Sequence, residues 1–167
     1  MGHNAGLQGR LSADLLAFVQ KGISISVASR DRRLVPSVSR ALACVASEDG
    51  RQLRLLVVRS QAVELVRDLE CCGAIAVGFT EPSTHRTLQI KGGDAALVPI
   101  TPRDQEALAR SEVAFGGQIE PLGFDQAYTR RLFSAGPDDL VVIAFTPDKV
   151  YQQTPGPAAG ALWEPGS

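Results

Sequence analysis

Cysteine, histidine and tryptophan are scarce in this sequence, and their scarcity excludes several kinds of site. The 167 residues include three cysteines, two histidines and one tryptophan. Three cysteines at uneven spacing are too few for a disulfide framework or a structural zinc site. The sequence also contains no nucleophile elbow or other hydrolase motif. We therefore predict no metal site, and we assign no residue a catalytic role.

An excess of one charge sign and long apolar runs are lacking as well. The formal net charge is −1 at pH 7, so no overall field favours nucleic acid or an anionic membrane. No apolar run approaches the roughly 20 residues that a transmembrane helix needs. Residues 1–6 do not combine a basic segment with an apolar one, which argues against a secretory signal. These features predict a cytoplasmic protein with neither a nucleic-acid nor a membrane partner.

Apolar side chains are abundant enough to fill a core. They make up 44% of the chain, whereas charged residues make up 21%. The length suits a single domain, which we place at residues 12–154 after a disordered N-terminal segment of residues 1–11. Residues 155–167 are rich in proline and glycine and are predicted to form an irregular tail.

Alternation of apolar and polar residues predicts several β-strands. Pro36 begins the second of them, at a position where a missing N–H costs least. Gly50, which follows Glu48 and Asp49, supplies the positive φ of a hairpin turn before the third strand. The predicted strand segments are 23–28, 36–45, 53–58, 74–79, 87–91, 95–100 and 140–145.

Helical spacing of apolar residues interrupts these strands. It predicts helices at 12–20, from Ala62 to near Gly73, after the Thr101-Pro102 start signal, and from 125 through 133. Strands joined by hairpins favour antiparallel pairing, and no βαβ unit with a glycine-rich turn is present. About six of the seven predicted segments could close or nearly close a barrel, so we predict an α/β fold that is mainly antiparallel β, a six-stranded β-barrel with flanking helices.

Three short segments carry a resemblance to a known family. Residues 79–92 read Phe-Thr-Glu-Pro-Ser-Thr-His-Arg-Thr-Leu-Gln-Ile-Lys-Gly and follow a helix and a short apolar strand. Pro36 to Arg40 forms a Pro-x-x-x-Arg strand, and a late strand ends in Thr146-Pro147. In their order along residues 12–155, these segments resemble the flavin-binding split β-barrel family related to pyridoxamine 5′-phosphate oxidase.

This resemblance implies a homodimer with one flavin mononucleotide (FMN) in each of two clefts between the subunits, and a flavin-dependent oxidoreductase activity. In the family, the phosphate is held where the third strand meets the next helix, and free N–H groups there favour an anion. Arg40 is either a further anion ligand or the partner of a nearby carboxylate. The cofactor-binding residues that the resemblance implies are Arg40, Arg59, Ser60, Gln61, Arg86, Thr87 and Gln89.

A departure from the family pattern supports a second hypothesis. The first turn of the central helix lacks the lysine typical of tight cofactor binding, and Glu64 would repel a phosphate. The chain would then be a non-catalytic split-barrel module that binds haem, another flavin-like cofactor such as deazaflavin, or a protein partner. His85 would be the axial ligand of a haem. Trp163 either packs over the cleft of a partner subunit or lies in solvent.

Overall fold

Antiparallel strands dominate the computed structural model, which describes residues 10–163. Within that range the strands are β1 (Ser24–Arg30), β2 (Pro36–Ala46), β3 (Leu53–Val58), β4 (Ile75–Thr80), β5 (Thr87–Gly92), β6 (Ala96–Val98), β7 (Leu140–Phe145) and β8 (Lys149–Gln152). These eight strands form one sheet in the order β6-β7-β3-β2-β1-β4-β5-β8. Every pairing in it is antiparallel, as the hairpin signals predict.

The helices form where the sequence predicts them. They are α1 (Ala13–Val19), α2 (Val63–Cys72), α3 (Pro102–Ile119) and α4 (Gln126–Phe133). Thr101 caps α3 in a reciprocal capping box with Asp104, and the Asp125 side chain caps α4. Gly73 ends α2 with φ of 62°, a left-handed conformation that glycine adopts without strain. Local capping signals therefore set the boundaries of these helices.

The prediction of six strands is wrong, because the sheet has eight. The short strand β6 covers only three residues of the predicted 95–100 segment. The four residues of β8 follow Thr146-Pro147, where the sequence predicts that the last strand ends. Only Val150 of β8 is buried, so its alternation is too short to be recognised from the sequence.

The segment after β8 folds back onto that strand. Leu162 forms an isolated antiparallel bridge with Tyr151, and the Trp163 N–H donates to the Val150 carbonyl at 2.9 Å. The Trp163 side chain packs against the core of its own chain, which excludes the prediction that it lies free in solvent. At the other end of the domain, Leu11 is buried in the core, whereas residues 1–9 of the predicted disordered segment lie outside the described range.

Two apolar layers position the sheet. On its inner face, strands β1, β3, β4 and β5 pack with α1 and α2 in one continuous cluster. On the outer face, α3 and α4 cover β2, β3 and β7 through a smaller cluster that includes Leu42, Val58, Phe115 and Phe133. Strand β3 is consequently buried on both faces, and five of its six residues are fully enclosed.

The outer face of β1, β4 and β5 is open by comparison. Its side chains are short or polar, and Ser26 and Val38 at the β1–β2 hairpin are exposed. Among residues 10–163, no helix has both the length and the apolar character needed to cross a bilayer. The open outer face therefore has the exposed polar side chains that a ligand site needs.

Candidate functional site

Arg40 lies on the outer face of β2, beneath α3 and α4. Its guanidinium carbon is 4.8 Å from the centre of the Phe115 ring and 5.4 Å from that of Phe133. The buried Nε has no hydrogen-bond partner. Burial lowers the pKa of Arg40 below its usual range, and the Tyr128 phenol acts in the opposite direction to a smaller extent.

No carboxylate neutralises this guanidinium. The ion pairs within residues 10–163 join other residues, and none includes Arg40. The predicted alternative, in which Arg40 pairs with a nearby carboxylate, is therefore not realised in the described part of the chain. Arg40 is instead a half-buried cation that keeps an unused donor, which makes it a candidate anion ligand.

Arg59, Ser60 and Gln61 form a single turn of 3₁₀ helix between β3 and α2. The Ser60 N–H donates to Asp139 Oδ1 at 2.9 Å, and the Ser60 hydroxyl donates to Asp139 Oδ2. These two hydrogen bonds, together with the charge of Arg59, hold the pKa of Asp139 below its usual range. The junction thus does receive an anionic group, but that group is a carboxylate of the same chain.

Gln61 connects this turn to β2 through its main chain. The Ser39 hydroxyl donates to the Gln61 carbonyl at 3.2 Å. Ser39 and Arg40 are consecutive strand residues and point to opposite faces, so Gln61 and the Arg40 guanidinium do not share a face of the sheet. The Gln61 side chain is exposed, as is Glu64 in the first turn of α2.

Arg86 and Thr87 lie at the start of β5, at the end of the sheet near α1. The Arg86 guanidinium carbon is 4.4 Å from the centre of the Phe18 ring. The Thr87 hydroxyl lies 3.1 Å from the Thr80 hydroxyl and 3.0 Å from the His85 carbonyl. His85 itself is exposed, in a tight turn with φ of 59°.

The sheet order separates these two groups of predicted ligands. Strands β2, β1 and β4 stand between β3 and β5, so Arg59 and Ser60 do not meet Arg86 and Thr87 within one chain. That both groups bind the same phosphate remains a prediction, and it requires a second copy of the chain. The two groups share one local feature, since each places a hydroxyl or a guanidinium at a strand end.

A different set of residues is aligned by the strand register. Arg40 is directly opposite Ser26, Ser26 is opposite Gly78, Gly78 is opposite Gln89, and Gln89 is opposite Tyr151. Direct partners in an antiparallel pair project on the same face, so these five residues form one band across the outer face, here called the polar row. A Cβ added at Gly78 would meet only the Ser26 Cβ, at 4.0 Å, which leaves the middle of the row open.

Sequence reasoning identified Arg40 and Gln89 but missed the other members of the polar row. Ser26, Gly78 and Tyr151 carry no motif, and only the pairing of five strands reveals that they are aligned. Among residues 10–163, no three histidine, cysteine or acidic side chains come together as a metal site. The polar row can therefore offer hydroxyl, amide and guanidinium groups to a polar ligand.

Comparison with known proteins identifies the fold. No protein-family model and no curated protein sequence matches the chain. Among solved structures, HupZ of Group A Streptococcus matches with a TM-score of 0.56 at 11% identity, over 90% of this chain and 100% of that one. A putative pyridoxamine 5′-phosphate oxidase from Lactobacillus delbrueckii matches with a TM-score of 0.51 at 13% identity, over 87% and 98%.

A third solved structure is that of a heme storage protein. HutZ, the heme storage protein from Vibrio cholerae, matches with a TM-score of 0.49 at 18% identity, over 86% of this chain and 94% of that one. At these identities the similarity concerns the fold and not the ligand. The chain has the split-barrel fold of the flavin-binding proteins related to pyridoxamine 5′-phosphate oxidase.

Proposed function

We propose that this protein binds FMN on the outer face of the sheet, with Arg40 as the anchor of the phosphate. One observation carries the proposal: the half-buried Arg40 guanidinium has an unpartnered Nε and no ion pair among the described residues. A charge that is removed from water without a counter-charge is costly, and a bound anion would relieve that cost. The fold gives further support, because flavin-binding proteins related to pyridoxamine 5′-phosphate oxidase share the split-barrel architecture.

The surroundings of Arg40 suit a phosphate. Arginine binds phosphate through two parallel N–H···O hydrogen bonds, which are stronger where water is excluded. The rings of Phe115 and Phe133, whose centres are 5.7 Å apart, both contact the guanidinium, and these contacts restrict its orientation. A preoriented guanidinium loses less side-chain entropy when an anion arrives.

The polar row supplies groups for the rest of the cofactor. The Ser26 hydroxyl and the Gln89 amide can hydrogen-bond a polar ring edge, and Gly78 leaves room for the ring between them. The flavin would supply the electron-transfer chemistry of an oxidoreductase, whereas this chain would bind and orient it.

A second copy of the chain completes the proposed site. Val38, beside Arg40 on β2, is 68% exposed, and Val35 in the preceding turn is 54% exposed. Exposed apolar side chains of this size next to the polar row are typical of a subunit interface. A homodimer that buries them would also bring the strand ends of one chain close to those of the other. Light scattering should then give about twice the 17.7 kDa of one chain.

Arg40→Met should weaken FMN binding by about 10- to 100-fold, because a charge-assisted hydrogen bond contributes roughly 1.5–3 kcal/mol. Quenching of flavin fluorescence on titration with the protein measures the dissociation constant. Arg110→Met is the matched control, since Arg110 is an exposed arginine on α3 and its removal should leave the affinity unchanged. The Arg40 variant should unfold at the same or a higher urea concentration, because an unpaired half-buried charge is replaced by an apolar chain.

A second variant separates the Arg40 site from the Ser60 site. Asp139→Ala frees the amide and hydroxyl of Ser60, so an FMN phosphate held there would bind more tightly in this variant. If Arg40 holds the phosphate, Asp139→Ala leaves the affinity unchanged. Absence of saturable FMN quenching in the wild-type protein would refute the proposal. A Soret shift on titration with hemin that is lost in His85→Ala would then favour a haem-binding module.

A further inference from the structure

Two of the three lysines of the chain are direct neighbours at the edge of the sheet. Lys91 of β5 is paired across the strands with Lys149 of β8, and both side chains project on the outer face. Like charges directly opposite each other destabilise a sheet. Neither lysine forms an ion pair within residues 10–163, whereas the third lysine, Lys21, is paired with Glu81. The fold thus places two repelling cations together and does not neutralise them.

These lysines line a pocket of about 570 Å³. Small residues in β4, before β4 and after β5 also line it, among them Ala76, Ala74 and Gly93. Alanine and glycine keep this part of the outer face low, so the longer side chains around it form walls. The volume lies within the range of roughly 300–1,000 Å³ that small-molecule sites occupy.

Cations dominate the wall of the pocket. Arg30, Lys91 and Lys149 line it, and Asp148 is the acidic residue among its lining groups. The pocket therefore concentrates positive charge on a chain whose formal net charge is −1. The Lys91 ammonium lies 4.9 Å from the centre of the ring of Tyr151, which also lines the pocket.

We infer that this pocket binds a small phosphorylated molecule, with its phosphate between Lys91 and Lys149. A phosphate dianion neutralises two ammonium groups at once and converts their repulsion into attraction to a shared anion. Arg30 adds a guanidinium at the β1 side of the pocket. The Tyr151 ring offers an apolar face to the remainder of the ligand.

This pocket is distinct from the Arg40 anchor. The pocket reaches β2 only at Pro36, which lies four residues before Arg40 and roughly 13 Å from it along the strand. Of its lysine pair, Lys149 is four strand-to-strand steps from β2, which at about 4.8 Å each amount to roughly 19 Å along the sheet. The two sites also differ in their cations, since one uses an arginine beneath helices and the other uses paired lysines on the open outer face. Tyr151 belongs both to the polar row and to the pocket lining, but the lysine pair itself does not depend on the proposed binding of FMN.

Inorganic phosphate is the probe for this pocket. On titration at constant ionic strength, we expect saturable shifts of the backbone amide signals of Lys91, Gly92, Gly93 and Lys149 in ¹H–¹⁵N NMR spectra. Lys91→Gln combined with Lys149→Gln should weaken phosphate binding by at least about tenfold, because both charged partners are lost. Removal of the repulsion should also leave the phosphate-free double variant at least as heat-stable as the wild type.

The control is a second double variant of equal charge, Arg103→Gln with Arg110→Gln, both on exposed positions of α3. It should keep the wild-type response to phosphate. An equal loss in this control, or an undiminished response in the lysine variant, would overturn the inference. FMN quenching distinguishes the two sites: the lysine variant should bind FMN as the wild type does, and Arg40→Met should keep its phosphate response. Loss of FMN binding in the lysine variant would show that the pocket is not a separate site.

Discussion

Replacement of Arg54 by methionine is expected to lower the free energy of unfolding by about 3–5 kcal/mol, the usual cost of leaving a buried charge without its partner. Arg54 on β3 donates from Nε to Asp104 Oδ1 at 3.0 Å and from Nη2 to Oδ2 at 2.7 Å. The Asp104 side chain is fully buried, and Arg54 is only 18% exposed. The same guanidinium donates to the Pro99 carbonyl, so one residue joins β3 to the start of α3.

The pH dependence of this loss provides a second measurement. Burial would raise the pKa of Asp104, but hydrogen bonds from Arg54 and Thr101 outweigh it, and the pKa lies below its ordinary value. A pKa that is lower in the folded state stabilises the fold above the unfolded value of about 3.9 and stops doing so as the pH falls through the folded value. The wild type therefore loses this contribution in acid, and the difference from Arg54→Met should shrink there.

Urea unfolding at neutral and acidic pH measures both effects. The matched control is Arg110→Met, whose side chain pairs with Glu106 while both remain largely exposed. Exposed pairs of this kind contribute at most about 0.5 kcal/mol, so the control should unfold nearly as the wild type does. A loss below about 1 kcal/mol for Arg54→Met would contradict the importance of this ion pair.

Gly92→Ala is expected to destabilise the fold by about 1–3 kcal/mol through overpacking. A Cβ at this position would lie 2.7 Å from a ring carbon of Phe145 and 2.7 Å from the Thr146 carbonyl oxygen. Phe145 is 1% exposed and cannot swing outward, and the carbonyl belongs to the main chain. Relief of the contact requires β5 and the end of β7 to move apart.

The neighbouring glycine supplies a control with the same chemical change. A Cβ at Gly93 would meet nothing within 4 Å, and Gly93 is not among the glycines with positive φ. Gly93→Ala should therefore be neutral or stabilise by about 0.4–1 kcal/mol, because alanine restricts the unfolded chain. In thermal unfolding, Gly92→Ala should lower the midpoint, whereas Gly93→Ala should leave it unchanged or raise it, and an equal decrease in both variants would contradict this account of the β5 end.

The parts of the fold that depend on residues close together in the sequence could be predicted. Thr101 and Asp104 are three residues apart, and their capping box needs no knowledge of the remaining chain. Alternation likewise identified the long strands, whose buried faces repeat every second residue. Strand β8 could not be predicted, because only one of its four side chains is buried. These residues form a strand through their pairing with β5, which is distant in the sequence.

For the candidate site, the sequence predicted the kinds of side chain but not which of them lie together. The strand-to-helix junction at Ser60 does attract an anionic group, as local geometry indicates, but Asp139 lies 79 residues away in the sequence. The polar row and the Lys91–Lys149 pair depend on register, and a shift of one residue would turn each side chain to the other face. Periodicity specifies faces, whereas it does not specify which strands become neighbours.

Both margins of the sheet are short or occupied. Strand β6 contributes only three residues at one margin, and at the other the chain returns so that Leu162 bridges to Tyr151. Long runs of free backbone donors and acceptors, which nucleate fibrils and strand exchange, are thus missing at both margins within residues 10–163. If copies of this domain associate, side chains on their faces rather than backbone pairing at the margins would select the partner.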